Sequence, residues 1–136
     1  MFWFFNNTTD TSGIEKKLEA GNAIQAVELV NKLRLQQEPI QAQIEERSAK
    51  VRTLQTELKW IQPRILACRE MFSVFYDNKK YLTRIQKQGK LLSSEETKNI
   101  NQQKKLIEEV RELKIQFNDI CKKITKVKDK YKIWSD

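Results

Sequence analysis

The sequence predicts an all-α protein organised as an antiparallel coiled-coil helical hairpin with an N-terminal helical segment. Three observations carry this. From Leu106 to Trp134 apolar residues recur at alternating steps of four and three, with Val110, Leu113, Phe117, Ile120, Ile124, Val127 and Tyr131 between them. That spacing averages 3.5 residues and keeps one stripe of a helix facing a partner helix. A second run of the same period extends from Ile40 through Ile44, Val51, Leu54, Leu58, Ile61, Ile65, Cys68, Phe72 and Phe75 to Leu82, interrupted by Arg47 and Lys79. The composition also favours helix: 136 residues include only three glycines and two prolines, while 32% are charged.

Taken in order, residues 1–11 form a flexible aromatic and polar N-terminus. Its first residues, Met1, Phe2, Trp3, Phe4 and Phe5, lack the basic start and the small-residue cleavage site of a signal peptide. Residues 12–38 form the N-terminal helical segment. Ser12-Gly13-Ile14-Glu15 matches a capping box, in which the serine hydroxyl and the glutamate carboxylate satisfy each other's unpaired backbone donors. Gly21-Asn22 reads as a stop and restart, and Glu38-Pro39 as the end of the segment.

Residues 39–136 form the hairpin. Pro63 falls inside its first helix and predicts a kink rather than an end, because the apolar phase is kept across it. Gly89 followed by Ser93-Ser94-Glu95-Glu96 predicts a turn near 89–93, with glycine closing one helix and a second capping box opening the next. An antiparallel coiled coil sets an a residue of one helix against a d residue of the other. Pairing Val110 with Phe75, Leu113 with Phe72, Phe117 with Cys68 and Ile120 with Ile65 meets that condition and centres the hairpin between Leu92 and Ser93.

A second apolar stripe is left over. Trp60, Ala67, Val74 and Tyr81 recur at intervals of seven beside Met71, whereas the matching positions of the last helix, such as Glu109, Glu112, Gln116 and Asp119, are polar. Either residues 12–38 fold back over this flank and complete a three-helix bundle, or the stripe binds another copy of the chain or another protein. Consecutive elements are usually neighbours, so the internal helix is the first expectation near Trp60. The distal part, Met71, Val74, Phe75, Tyr76 and Tyr81, lies beyond its reach and is the better candidate for an external contact. Phe2, Trp3, Phe4 and Phe5 pose the same choice between self-packing, a partner groove and a membrane interface.

Over the seam from residue 51 to residue 134 the chain resembles the helical-hairpin stalk proteins of bacterial flagellar and type III export machines, and equally spectrin-like helical repeats. The resemblance rests on heptads and implies an interaction role without carrying over the function of any one residue.

The net charge is +8, unevenly placed. In residues 63–92 the basic residues Arg64, Arg69, Lys79, Lys80, Arg84, Lys87 and Lys90 face only Glu70 and Asp77. Lys79, Lys80, Arg84, Lys87 and Lys90 are therefore candidate anion-binding residues, for nucleic acid or an anionic membrane, beside the simpler reading of a solvated face. No helix-turn-helix, zinc-finger or RNA-binding signature accompanies them.

Nothing in the sequence points to catalysis. There is no histidine, no glycine-rich phosphate loop and no Gly-x-Ser-x-Gly elbow, and adjacent carboxylates such as Glu45-Glu46 and Glu95-Glu96 diverge on a helix. Cys68 and Cys121 are far apart in sequence and fit buried free thiols better than a metal site. The sequence expectation is thus a non-enzymatic protein–protein interaction module without cofactor or metal: an adaptor, a secretion-machine component or an effector-like protein. Its expected partner is another protein or a second copy. A basic nucleic-acid- or membrane-surface binder is the alternative. The expected setting is the cytoplasm, or secretion without a cleavable signal peptide.

Overall fold

The computed structural model describes residues 13–131, and the side chains of residues 23–131. Two α-helices account for nearly all of them: α1, Gly13–Val74, of 62 residues, and α2, Lys79–Tyr131, of 53 residues. They pack against each other as a hairpin. The coiled-coil hairpin class expected from the heptads is the class observed, and no strand occurs among the described residues.

Two compact units divide the hairpin: Met1–Ala42 with Leu113–Asp136, and Gln43–Glu112. In the first, Val30 and Leu33 of α1 bury against Ile120 and Ile124 of α2, with Ile40 and Val127 packed at the margin. Ala23 and Ala26 continue the buried stripe on α1. Gln37 interrupts it, but its Nε2 donates to the Phe117 carbonyl at 3.1 Å and to Cys121 Sγ at 3.0 Å. A polar side chain is tolerated there because its donor group is satisfied across the helix pair.

In the second unit Ile44, Ile65 and Ile85 are buried, while Leu54, Leu58, Ile61, Leu92 and Leu106 are half-buried. The polar interruptions are more frequent. Arg47 Nε reaches the Glu109 carboxylate at 2.9 Å. Asn99, only 4% exposed, donates through Nδ2 to the Leu54 carbonyl at 2.9 Å and accepts from Gln103 Nε2 at 2.6 Å. A buried asparagine that bonds across one particular pair of positions disfavours other registers, since sliding the helices would leave its amide unpaired.

The turn lies at residues 75–78, not at 89–93. Phe75 N–H donates to the Met71 carbonyl at 2.9 Å, closing α1, and Asn78 N–H donates to the Phe75 carbonyl at 3.0 Å. Asn78 then caps α2: its side-chain oxygen accepts from the Tyr81 N–H, the third of the helix, at 3.3 Å. Asp77-Asn78 was the overlooked turn signal.

Gly89 and the Ser-x-x-Glu run are interior to α2. The Thr97 hydroxyl donates to the Ser93 carbonyl at 3.0 Å, a back-bond made within a continuing helix. Gly89 sits in the seam instead of ending it, half-buried beside a shallow cavity of about 180 Å³ lined by Ile65, Cys68, Phe72 and Ile85.

The partners shift accordingly. Cys68 faces the Ile85–Gly89 turn of α2 and not Phe117, while Ile120 packs with Leu33 and not with Ile65. A heptad seam matches its partner almost equally well after sliding by whole repeats, so the a-to-d condition alone could not select between the two registers.

Two further boundaries are corrected. Helix α1 runs unbroken through Gly21-Asn22 and Pro39, and it also continues through Pro63, where the sequence predicts no end. Each proline removes one backbone bond, but the apolar stripe on either side stays in phase, and packing of that stripe outweighs the loss. Residues 13–38 are therefore the first part of α1, not a separate segment ending at Pro39. Because Val30 and Leu33 are spent on Ile120 and Ile124, this stretch supplies no third helix to a bundle over the Trp60–Tyr81 flank. The described part of α1 begins at Gly13, and the capping box expected at Ser12 lies partly outside the described residues.

Candidate partner-binding surface

Beyond Cys68 the seam runs out of cover. Every residue from Arg69 to Tyr81 is exposed, and this stretch holds six large apolar or aromatic side chains: Met71, Phe72, Val74, Phe75, Tyr76 and Tyr81. Val74 is 68% exposed and Tyr76 72%, and on α1 Trp60 is 66% exposed. Isolated exposed apolar residues are ordinary, but a contiguous group marks a contact surface.

The turn explains why they gather. Phe72 and Phe75, assigned to the seam by sequence, fall where α1 ends and α2 begins, so they are only partly covered: Phe72 borders the shallow cavity with Ile85 and still keeps 40% of its surface exposed, Phe75 38%. Phase brings Tyr81 back toward them: its ring lies 5.4 Å from that of Phe75, centroid to centroid, at a tilt of 34°. Tyr81 thus belongs to α2, whereas Trp60, Ala67 and Val74 belong to α1. The stripe read as one helix face is made by two helices.

Met71 and Tyr81 come together in an open groove of about 420 Å³, completed by Arg84, Ile85, Lys87, Gln88 and Leu91. Trp60 is not in that groove, but it shares the α1 stripe at spacings of four and three through Arg64, Ala67 and Met71. The Arg64 guanidinium lies over the Trp60 ring at 5.8 Å from its centroid. Ile85 and Leu91 were missed as site residues. Their signal was present, since Tyr81, Ile85 and Gln88 recur at four and three and Leu91 follows at three, but with the turn placed at 89–93 they could not be set opposite Met71.

The basic candidates separate in three dimensions. Arg84 and Lys87 line the groove. Lys79 and Lys80 occupy the first turn of α2, which has no acidic residue. Cations there oppose the helix macrodipole, at about 0.3–1 kcal/mol each, so helix stability does not account for them. At the other end Lys128 and Lys130 are placed favourably in the last turn. Lys90 is exposed and does not line the groove. Phe2, Trp3, Phe4 and Phe5 lie outside the described residues.

Among the described residues, no group of three or more His, Cys, Asp or Glu side chains is placed to hold a metal ion, and no helix is long and apolar enough to cross a membrane. Cys68 and Cys121 are free thiols, each half-buried.

Fold and surface together define an all-α coiled-coil hairpin with an exposed apolar and basic region around its turn. No protein-family model matches the chain, and neither a curated protein nor a solved structure is similar to it.

Proposed function

We propose that the protein is a non-enzymatic interaction module, an adaptor-like coiled-coil hairpin that binds another protein through the surface around its turn. The observation that carries this is the flank formed by Trp60, Met71, Val74, Tyr76 and Tyr81. It stays exposed after residues 23–42 have been packed elsewhere, against α2 in the other unit. Exposed aromatic side chains of this kind are the usual anchors of protein interfaces. Two unpaired thiols fit a reducing, cytoplasmic setting.

The test is a photo-crosslinking residue at position 76 of the full chain in cells. A discrete crosslinked protein should appear with Val74 and Tyr81 intact and vanish in the Val74→Ser/Tyr81→Ser variant, whose two positions are exposed and whose helicity should not change. Persistence of the crosslink in that variant sinks the reading.

A second reading is kept by Lys79 and Lys80, whose placement against the α2 dipole is unexplained by stability. On that reading the turn binds phosphates of nucleic acid or of an anionic membrane. Lys80→Glu/Arg84→Glu/Lys87→Glu would then abolish binding, and affinity would fall steeply with salt.

A further inference from the structure

We infer that the groove between α1 and α2 bounded by Met71, Tyr81, Arg84, Ile85, Lys87 and Leu91 receives an amphipathic helix of a partner protein, with acidic residues flanking its apolar stripe. The inference rests on the interaction-module reading and specifies the occupant.

Shape points to a helix. The groove lies between two packed helices, with apolar groups from both. Its α1 wall is continued by Val74, Ala67 and Trp60 on the same stripe, a span of about 20 Å at the helical rise. A ridge-and-groove surface of that length is filled by the ridges of another helix, as a third strand fills the seam of a coiled coil. A loop or a single side chain would leave most of it open.

Charge selects the kind of helix. Arg84 and Lys87 line the groove, no carboxylate does, and Arg64 lies on the same stripe over Trp60. The groove thus presents cations beside an apolar floor, which an incoming helix complements with Glu or Asp beside its apolar positions. The same argument disfavours a second copy. A two-fold contact through this groove would bring the Arg84 and Lys87 of both copies into one interface whose groove lining holds no carboxylate to offset them, and like charges brought together oppose association. A bilayer would be met by Phe75 and Tyr76 at the turn more readily than by a concave groove between helices.

The test displays a library of helical peptides of about three heptads, with leucine fixed at the seam positions and Glu, Gln or Lys varied at the flanks, and selects on the full-length protein. Glutamate-flanked peptides should be enriched. They should bind at least about tenfold more weakly to Met71→Ser/Tyr81→Ser, and Arg84→Glu/Lys87→Glu should reverse the preference toward lysine flanks. The second variant removes no apolar group, so it discriminates even if the first perturbs the turn.

Enrichment of uncharged or lysine-flanked peptides by the native protein overturns the inference, as does no enrichment. Concentration-dependent dimerisation lost in Met71→Ser/Tyr81→Ser would make a second copy the occupant, and binding to phosphatidylserine vesicles lost in that variant would make it a lipid surface. Either result overturns the acidic helix. If no acidic helix is selected while the position-76 crosslink survives, this inference falls and the interaction-module reading stands; if the crosslink also fails, both fall.

Discussion

The two units of the hairpin use one heptad geometry in different ways. In the unit containing Val30 and Ile124 the described seam is mostly apolar, and the polar side chain buried in it, Gln37, is satisfied by Phe117 and Cys121. In the unit from Gln43 to Glu112 the seam carries Arg47, Gly89, Asn99 and Gln103, and outside it stand Trp60, Met71, Val74, Tyr76 and Tyr81, all exposed. Burial of methyl groups is non-directional and supplies stability, whereas polar bonds across the seam have one correct partner and supply register. The first unit is built to hold; the second is built to be aligned and to present a surface.

Truncation should break that comparison most visibly. Leu33→Ala removes a side chain from the buried cluster and should lower stability by about 2–5 kcal/mol in denaturant unfolding. Serine at exposed Val74 or Tyr81 should change it by roughly 0.5 kcal/mol or less. Equal losses at the two kinds of site would mean that the exposed flank is covered in the free protein.

Gly89→Ala sharpens the contrast from the other side. A Cβ at Gly89 would meet no atom within 4 Å, so alanine adds helix propensity without a clash and should stabilise by about 1 kcal/mol. Were Gly89 the left-handed end of a helix, as a turn at 89–93 requires, the same substitution would destabilise. A thermal melt therefore tests stability and topology together.

Asn99→Leu should separate register from stability. Replacing a buried amide by an apolar group is often neutral or stabilising, while specificity is lost. With Ile85→Cys introduced and Cys121→Ser removing the other thiol, Cys68 should form an intramolecular disulfide with the cysteine at 85. Adding Asn99→Leu should lower its yield in favour of links between chains. A disulfide from Cys68 to a cysteine placed at Phe117 would restore the register derived from sequence.

The smallest effect belongs to the solvent-exposed pair on α2. Arg111 Nη2 lies 2.7 Å from Glu108 Oε1. Its hydrogen bond, the largest influence, holds the Glu108 carboxyl below the usual value; desolvation opposes this lowering and the Arg111 charge adds to it more weakly. A carboxyl lowered in the folded state contributes stability above its unfolded pKa and loses it as pH falls through the folded value. Exposure screens the pair heavily. Glu108→Gln should therefore flatten the acid limb of the stability–pH curve only slightly, and a large change would show that the pair is coupled to the seam.

Much of the fold was legible because helix and seam are local properties. The period of 3.5 from Leu106 onward needs only neighbouring residues to be recognised, and the scarcity of glycine and proline agrees with it. The stretch from Leu82 to Gln103 was less legible, since Gly89, Glu96, Asn99 and Gln103 do not look like seam residues one at a time. Asn99 is recognisable as buried only when Leu54 is known to lie opposite. The candidate surface was half legible for the same reason. Spacing identified Trp60, Met71, Val74 and Tyr81, but Ile85 and Leu91 join them only once the turn at 75–78 is known.

Taken by itself, then, the sequence determined that this chain is helical, that it forms an antiparallel hairpin, and that one flank carries more apolar surface than the hairpin needs. Tertiary structure decided where the chain turns, which residues face each other and which cations border the exposed groove. The physical reason is the near-equivalence of heptad registers: sliding one helix past the other by whole repeats keeps nearly all apolar contacts. Among the described residues, the directional bonds of Gln37, Arg47 and Asn99, together with the cap at Asn78, favour one register over the next.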